Sequence, residues 1–292
     1  MDKNKIYQNI SLKKFSSWKV GGNAEYFLIC SDVKILSRLL KLKKIKLPIT
    51  FIGLGSNLLI RDGGVQGTVI GLYGGLNEIR KDKDLIFVEA GVSCSKLSKF
   101  SAREGFSESA FLSGIPGTVG GALAMNAGCY GAETWDYVQK VMMINSDGDI
   151  TIKQKYNFDV GYREVSNGNK EENFLAAWFK FPEGNMATSE AAIKKLLIHR
   201  RDTQPLSQPT AGSTFRNPNN DYAARLIEEC GLKGFKKGMA QVSEKHANFI
   251  VNLGNAMASD IEFVINHIQK VVQEKKGIHL IREIKIIGES VG

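Results

Sequence analysis

Apolar positions along this 292-residue chain fall into short runs and helical stripes. After Ser31-Asp32, a helix cap, Val33, Leu36 and Leu40 recur at helical spacing and predict a helix. PITFIGLGSNLLI (48–60) reads as a short apolar strand broken by glycines. Asp84 to Ala90 and Val138 to Ile144 read as further strands, followed by a turn at Asn145 to Gly148. NFLAAWFKF (173–181) is another strand, and FPEGN (181–185) behind it is the clearest linker, where we place a domain boundary.

The remaining third opens with a predicted helix over about Thr188 to Arg201, burying Ile193, Leu196 and Leu197. A second begins at Asp221 and stops before Gly231, with cap residues at both ends. A third starts at a capping box of Ser259 and Glu262. Ile261, Val264, Ile265, Ile268, Val271 and Val272 keep one of its faces apolar until Gly277. In the closing strand, HLIREIKII (279–287), Ile284 and Ile286 share one face, so Glu283 and Lys285 share the other.

Composition adds a few exclusions. With 43% hydrophobic and 24% charged residues the chain is of globular type, and its length points to two or three domains. Its apolar runs are far short of a membrane span, and the N-terminus lacks the apolar core of a signal peptide. A soluble cytoplasmic protein without a membrane partner is expected. Cys30, Cys94, Cys129 and Cys230 form no C-x-x-C pair, and His199, His246, His267 and His279 form no metal-binding pattern, so no metal is expected. The net charge of +9 fits nucleic acid, nucleotides or solvated lysine faces such as KLKKIKL (41–47), and charge alone does not choose. A nucleic-acid partner would need aromatics interleaved with Lys and Arg on a sheet face, or a recognition helix; neither is seen, and none is expected to bind.

Two uncharged glycine-rich segments carry the candidate chemistry. One is Gly53-Leu-Gly-Ser-Asn57. The other, Phe111 to Gly131 (FLSGIPGTVGGALAMNAGCYG), has six glycines among 21 residues. Bare backbone lets N–H groups approach a ligand and form an anion-binding nest. Neither segment is a Rossmann fingerprint: GLGSNL has Leu58 where the third glycine belongs, and GIPGTVGG has the wrong spacing. Together they point to a dinucleotide diphosphate neutralised by dipoles rather than by lysines.

FIGLGSNLLIRDGG (51–64) and SGIPGTVGGALAMNAGCYGAE (113–133) resemble the paired flavin loops of the UDP-N-acetylenolpyruvoylglucosamine reductase family. The match continues in order through SSWKVGGNAEYF (16–27), GYREV (161–165), HRRDTQP (199–205), AGSTFRNP (211–218), GLKGFKKGMAQVSEKHANFIVN (231–252) and HLIREIKIIG (279–288). The chain looks like the shorter, type II subgroup. The resemblance implies an α+β fold: a two-lobed FAD-binding module of the p-cresol methylhydroxylase and vanillyl-alcohol oxidase type, then a smaller α/β substrate-binding domain. We expect FAD-binding subdomains over 1–75 and 76–182, together about 17–182, and the C-terminal domain over 183–292.

By the same resemblance Gly53, Gly55, Ser56, Asn57 and Leu58 would hold FAD from the first loop. Ser113, Gly114, Pro116, Gly117, Thr118, Gly120, Gly121, Ala124 and Gly128 would hold it from the second, and Arg200 would approach it from the third domain. No histidine precedes His199, so the flavin is expected to be non-covalent. The implied reaction reduces UDP-N-acetylglucosamine enolpyruvate to UDP-N-acetylmuramate, a peptidoglycan precursor, with NADPH as cosubstrate. Arg163 would bind the substrate carboxylate through its planar fork, Glu283 would act as an acid toward the enolate-like oxygen, and Ser213 would protonate carbon. Tyr130, Arg216, Asn217 and the segment Lys245, His246, Ala247 and Asn248 would contact substrate or pyridine nucleotide, although His246 equally fits a core histidine. A monomer or weak dimer is expected. Two positions depart from the family pattern: Arg282, where proline is frequent, and Lys285, where arginine is common. A different flavin oxidoreductase of the superfamily is the nearest alternative, but it would not need AGSTFRNP and HLIREIKIIG together.

Overall fold

The structure, a computed structural model, describes residues 1–168 and 171–291. The strands run β1 (Ile6–Ser11), β2 (Asn23–Ile29), β3 (Ile49–Ile52), β4 (Leu58–Ile60), β5 (Val65–Gly71), β6 (Ile79–Asp82) and β7 (Leu85–Glu89). Next come β8 (Gly128–Cys129), β9 (Ala132–Glu133), β10 (Val138–Ile144), β11 (Ile150–Gln154), β12 (Asp159–Gly161), β13 (Glu164–Ser166) and β14 (Asn173–Phe179). The last are β15 (Lys236–Lys237), β16 (Ala240–Val242), β17 (Ile250–Asn252) and β18 (Lys285–Ile287). The α-helices are α1 (Val33–Lys41), α2 (Cys94–Arg103), α3 (Val119–Ala124), α4 (Met186–Thr203), α5 (Ala223–Glu229) and α6 (Ala258–Lys276).

Two compact units share the chain, each assembled from three stretches. The first takes Met1–Gln8, Tyr26–Leu54 and Gly67–Arg200; the second takes Asn9–Glu25, Gly55–Gln66 and the chain from Arg201 onward. In the first unit an antiparallel sheet of order β11-β10-β14-β7-β6 covers α2 and α3. Ile86, Val88, Leu97, Leu123, Trp135, Val141 and Phe179 fill the space between. A second sheet has the order β1-β2-β5-β3, in which β3 runs parallel to β5. Helix α1 starts where its sequence says: the Asp32 carboxylate accepts from the N–H groups of Lys34 and Ile35. Burial of Leu36 and Leu40 fastens it to Leu28, Ile70 and Leu175, at about 1.5–3 kcal/mol per side chain.

In the second unit α6 lies on the sheet β15-β16-β17, and β4 pairs in parallel with β18. Ile261, Val264, Ile265, Ile268 and Val272 bury the predicted stripe against Trp18, Leu59, Phe215 and Ile250. Gly277, left-handed at φ +68°, ends the helix.

Four local expectations are corrected. Helix α6 begins at Ala258, and the first-turn acceptor is not Ser259. The Asp62 carboxylate takes the N–H groups of Ala258 and Ser259, both at 2.9 Å. Glu262 instead grips Arg61 in a two-pronged ion pair of 2.9 and 2.6 Å. A partner distant in sequence thus outcompetes the local box. Helix α5 starts at Ala223 rather than Asp221, because Asn217 Oδ1 caps Ala223 N–H (3.1 Å) while Asp221 binds Arg225. In α4 only Ser189 and Ile193 are buried, with Leu196 half-buried and Leu197 exposed. Leu196, Leu197 and Ile198 are consecutive and span too much of the helix circumference for one face. Finally, the closing strand is confined to Lys285–Ile287, preceded by a single bridge from Arg282 to Phe215.

Candidate active site

Gly53 closes on α3 in the first unit so tightly that a Cβ there would overlap Thr118 Oγ1. Among the described residues the N–H groups of Gly53, Leu54, Gly117 and Thr118 donate no hydrogen bond. Unsatisfied amides beside a glycine that admits no side chain make an anion cradle, the feature a diphosphate needs. The start of α3 adds little to it. Its first three N–H groups are taken by Val92 O (2.8 Å), Ala90 O (2.9 Å) and Thr118 Oγ1 (3.4 Å). Gly120 serves packing, because a Cβ would lie 2.8 Å from that of Ala90. The Ser113 hydroxyl turns inward and donates to Ala110 O (2.7 Å). Pro116 and Ala124 lie in the same segment, Pro116 two residues before the Thr118 cap and Ala124 at the last position of α3.

Arg163 occupies the second position of the two-residue turn between β12 and β13, with φ +59°. Glycine or asparagine ordinarily sits there, and a left-handed arginine stores strain of about 1–3 kcal/mol. Its side chain is only 13% exposed. Nη2 donates to Gly128 O (2.9 Å) and Nη1 to Asn126 O (3.3 Å). Tyr130, also left-handed at φ +56°, donates its hydroxyl to Leu196 O of α4 (3.4 Å) and sets its ring edge against His199. A Cβ on Gly114 would meet Cys129 Sγ and the Tyr130 ring, both at 2.8 Å. Burial pushes the Cys129 thiol up to about 11, opposed by the nearby charges of Arg163 and Arg200. Burial pulls the Arg200 guanidinium below its ordinary value, opposed by Tyr130 and Cys129. The first unit therefore gathers Gly114, Gly128, Tyr130, Arg163 and Arg200.

The second unit gathers Asn57, Ser213 and Glu283. Glu283 N–H donates to Thr214 O (2.9 Å), and Arg216 N–H donates to Ile281 O (2.9 Å), so the two segments run antiparallel. On the other side Lys285 N–H donates to Asn57 O (3.0 Å), and the Asn57 amide donates to Glu283 O (3.1 Å). Leu58 opens the strand that this contact begins, opposite Lys285. Ser213 forms a bridge with Phe249, and its hydroxyl makes no hydrogen bond among the described residues. Gly55, at φ +64°, admits no Cβ because Phe15 O lies against it. The Gly55 and Ser56 N–H groups are likewise undonated among the described residues.

Residues other than the catalytic three hold this arrangement. The buried Asn248 side chain reads both backbone groups of Phe215, donating to its O (2.8 Å) and accepting from its N–H (3.0 Å). Asn248 O takes Thr214 N–H (2.8 Å). Its N–H donates to His246 Nδ1 (3.3 Å), and burial holds the His246 pKa below its ordinary value. Asn217 spends its carbonyl on the α5 cap. Lys245 donates to Arg201 O (2.7 Å) and lines, with Gln204, Gln208 and Gln241, a cavity of about 460 Å³. Among the described residues no three His, Cys, Asp or Glu side chains cluster as a metal site, and no helix is long and apolar enough to cross a membrane.

Comparison with known proteins finds two matched segments. Residues 24–152 match the model of an FAD binding domain, and residues 204–287 match that of the UDP-N-acetylenolpyruvoylglucosamine reductase C-terminal domain. The UDP-N-acetylenolpyruvoylglucosamine reductase of Nitrosomonas eutropha is 45% identical, covering 98% of this chain and 90% of that protein. The one from Legionella pneumophila strain Paris is 48% identical, covering 97% and 93%. A crystal structure of the UDP-N-acetylenolpyruvylglucosamine reductase from Thermus caldophilus superposes with a TM-score of 0.81 at 30% identity, over 97% of this chain and 98% of that one. The fold is thus α+β, with an FAD-binding domain followed by a C-terminal domain.

Proposed function

Because the chain belongs to the UDP-N-acetylenolpyruvoylglucosamine reductase family, we propose that it reduces UDP-N-acetylglucosamine enolpyruvate to UDP-N-acetylmuramate with electrons from NADPH. It is an oxidoreductase that uses FAD, serving peptidoglycan precursor synthesis. The double bond gains a hydride at its methylene carbon and a proton at the carbon bearing the carboxylate. Bound FAD supplies the two-electron relay between nicotinamide and substrate. The undonated amides of Gly53, Leu54, Gly117 and Thr118, and separately those of Gly55 and Ser56, are the groups that would hold its diphosphate without covalent attachment.

Arg163 pairs with the substrate carboxylate, where negative charge accumulates as hydride arrives; a guanidinium stays charged at any working pH. Glu283, as a neutral acid, donates a hydrogen bond to the enolate-like oxygen and keeps its proton, while Ser213 hands its hydroxyl proton to carbon and is reprotonated from solvent. The observation that supports this reading is the hydrogen bond from Glu283 N–H to Thr214 O, which runs the Glu283 segment alongside the one that carries Ser213. Tyr130, Arg216, Asn217, Lys245 and His246 complete the substrate and nucleotide contacts. The reading also carries a cytoplasmic location, a monomer or weak dimer, no nucleic-acid or membrane partner, and a part in cell shape and division.

The test is to reduce the bound flavin anaerobically with NADPH and then add either the UDP-linked enolpyruvyl sugar or a simple enolpyruvate. Rapid reoxidation by the first alone is expected. Equal reoxidation by both, or by neither, would overturn the assignment.

A further inference from the structure

Arg163 must hold a long, flexible side chain in one place from a strained turn, and the residues that do this lie outside the reaction. Asn126 is 2% exposed and left-handed at φ +43°. Its Nδ2 donates to Glu133 Oε2 (2.6 Å) and to Gly161 O (3.1 Å), and its Oδ1 accepts from Trp135 N–H (3.1 Å). Gly161 is the residue from which the Tyr162-Arg163 turn departs. The main-chain carbonyl of the same asparagine receives Arg163 Nη1, and Gly128, whose carbonyl receives Nη2, pairs across the β8–β9 hairpin with Glu133. One amide therefore joins the base of the arginine's turn to the loop that receives its head.

We infer that Asn126 and Glu133 form a positioning pair for Arg163, an inference resting on the role given to Arg163 above. Glu133 acts chiefly through Asn126, while its carboxylate also stands within ion-pair range of the arginine. Its contact with the amide is 2.6 Å, whereas Oε1 stands 3.9 Å from Nη1, beyond hydrogen-bond reach. What matters is then an acceptor at position 133, charged or not. Loss of that acceptor removes the shortest of the three hydrogen bonds that orient the Asn126 side chain, loosens the loop that carries the two carbonyls, and displaces the guanidinium from the substrate carboxylate. Displacements of about 1 Å in such a group cost up to about a hundredfold in rate.

The experiment follows the two half-reactions separately in Glu133→Ala, Glu133→Gln, Arg163→Ala and the double variant Glu133→Ala/Arg163→Ala, all as FAD-loaded protein. Glu133→Ala should slow reoxidation by substrate about tenfold while reduction by NADPH stays within about twofold, which also reports that the variant is folded and loaded. Glu133→Gln should stay within about threefold of the parent, because its amide oxygen still accepts from Asn126. In the Arg163→Ala background the Glu133→Ala change should add nothing further. A slow Arg163→Ala with a fully additive Glu133→Ala overturns this inference alone, as does a Glu133→Gln as slow as Glu133→Ala. Equal slowing of both half-reactions by Glu133→Ala overturns it too, by showing a scaffold role only. An Arg163→Ala enzyme of parental speed overturns the proposed function and this inference together.

Discussion

Arg163 stands on a turn and is fixed at its far end, where two main-chain carbonyls receive its guanidinium. Ser213 and Glu283 stand on extended chain and are fixed at their near end, by backbone hydrogen bonds between neighbouring segments. The contrast follows from the side chains. An arginine carries about 2 kcal/mol of rotamer entropy, so placing its backbone does not place its charge. A serine hydroxyl is one rotatable bond from the chain, so fixing the backbone is nearly sufficient. In the first unit the anchoring of the side chain's head should therefore decide the effect of a substitution, whereas in the second the backbone already places the reacting group and only its removal should matter.

The largest effect tests the second half of that contrast. Ser213→Ala keeps the backbone and removes only the hydroxyl, so stopped-flow traces should show normal reduction by NADPH and reoxidation by substrate slowed about a hundredfold or more. Equal slowing of both steps would mean that the chain, rather than the hydroxyl, had been disturbed. Arg163→Lys is the counterpart in the first unit. It keeps the charge but loses the planar fork, and about tenfold more substrate should be needed for half-maximal reoxidation. An unchanged requirement would show that charge suffices and the tethered head does not matter.

Asn248→Ala removes two hydrogen bonds to the buried backbone of Phe215 and should lower unfolding free energy by about 1–3 kcal/mol in denaturant titration. A loss below that range would show the strand to be held without its side-chain brace. The smallest effect is a pH dependence. His246 has a depressed pKa in the folded state, so the folded protein binds fewer protons there than the unfolded chain. That contribution to stability is fully present above the unfolded value of about 6.5 and falls away as pH drops toward the folded-state pKa. Denaturation midpoints compared at about pH 7.5 and 5.5 should diverge less in His246→Gln than in the parent.

Periodicity made α1, α6 and the strands around Val138 and Asn173 legible, because each buries one face in a regular pattern. The glycine loops stood out as bare backbone, and AGSTFRNP, flagged through family likeness, meets HLIREIKIIG, which alternation had also marked as the closing strand, as a neighbouring segment. The tether of Arg163 was not legible, since its acceptors are main-chain carbonyls that no residue type announces. Nor was the start of α6, whose caps at Asp62 come from 196 and 197 residues away and displace a well-formed local signal at Ser259 and Glu262. Asn126 lay in plain view as the lone polar side chain between the last glycines of the second loop, yet its partners Gly161 and Trp135 appear only after folding.

The second unit draws Trp18, Leu59 and the clamp at Arg61 and Asp62 from stretches translated long before the helix they support. During synthesis those early stretches emerge without their partners and wait for nearly the whole message to be read. Vectorial, domain-by-domain maturation is closed to this half of the molecule. A recombinant fragment starting at Arg201 would lack Trp18, Val20 and Leu59 from the core around α6, leaving that part of its apolar face uncovered and prone to self-associate until the missing stretches were supplied as a separate peptide.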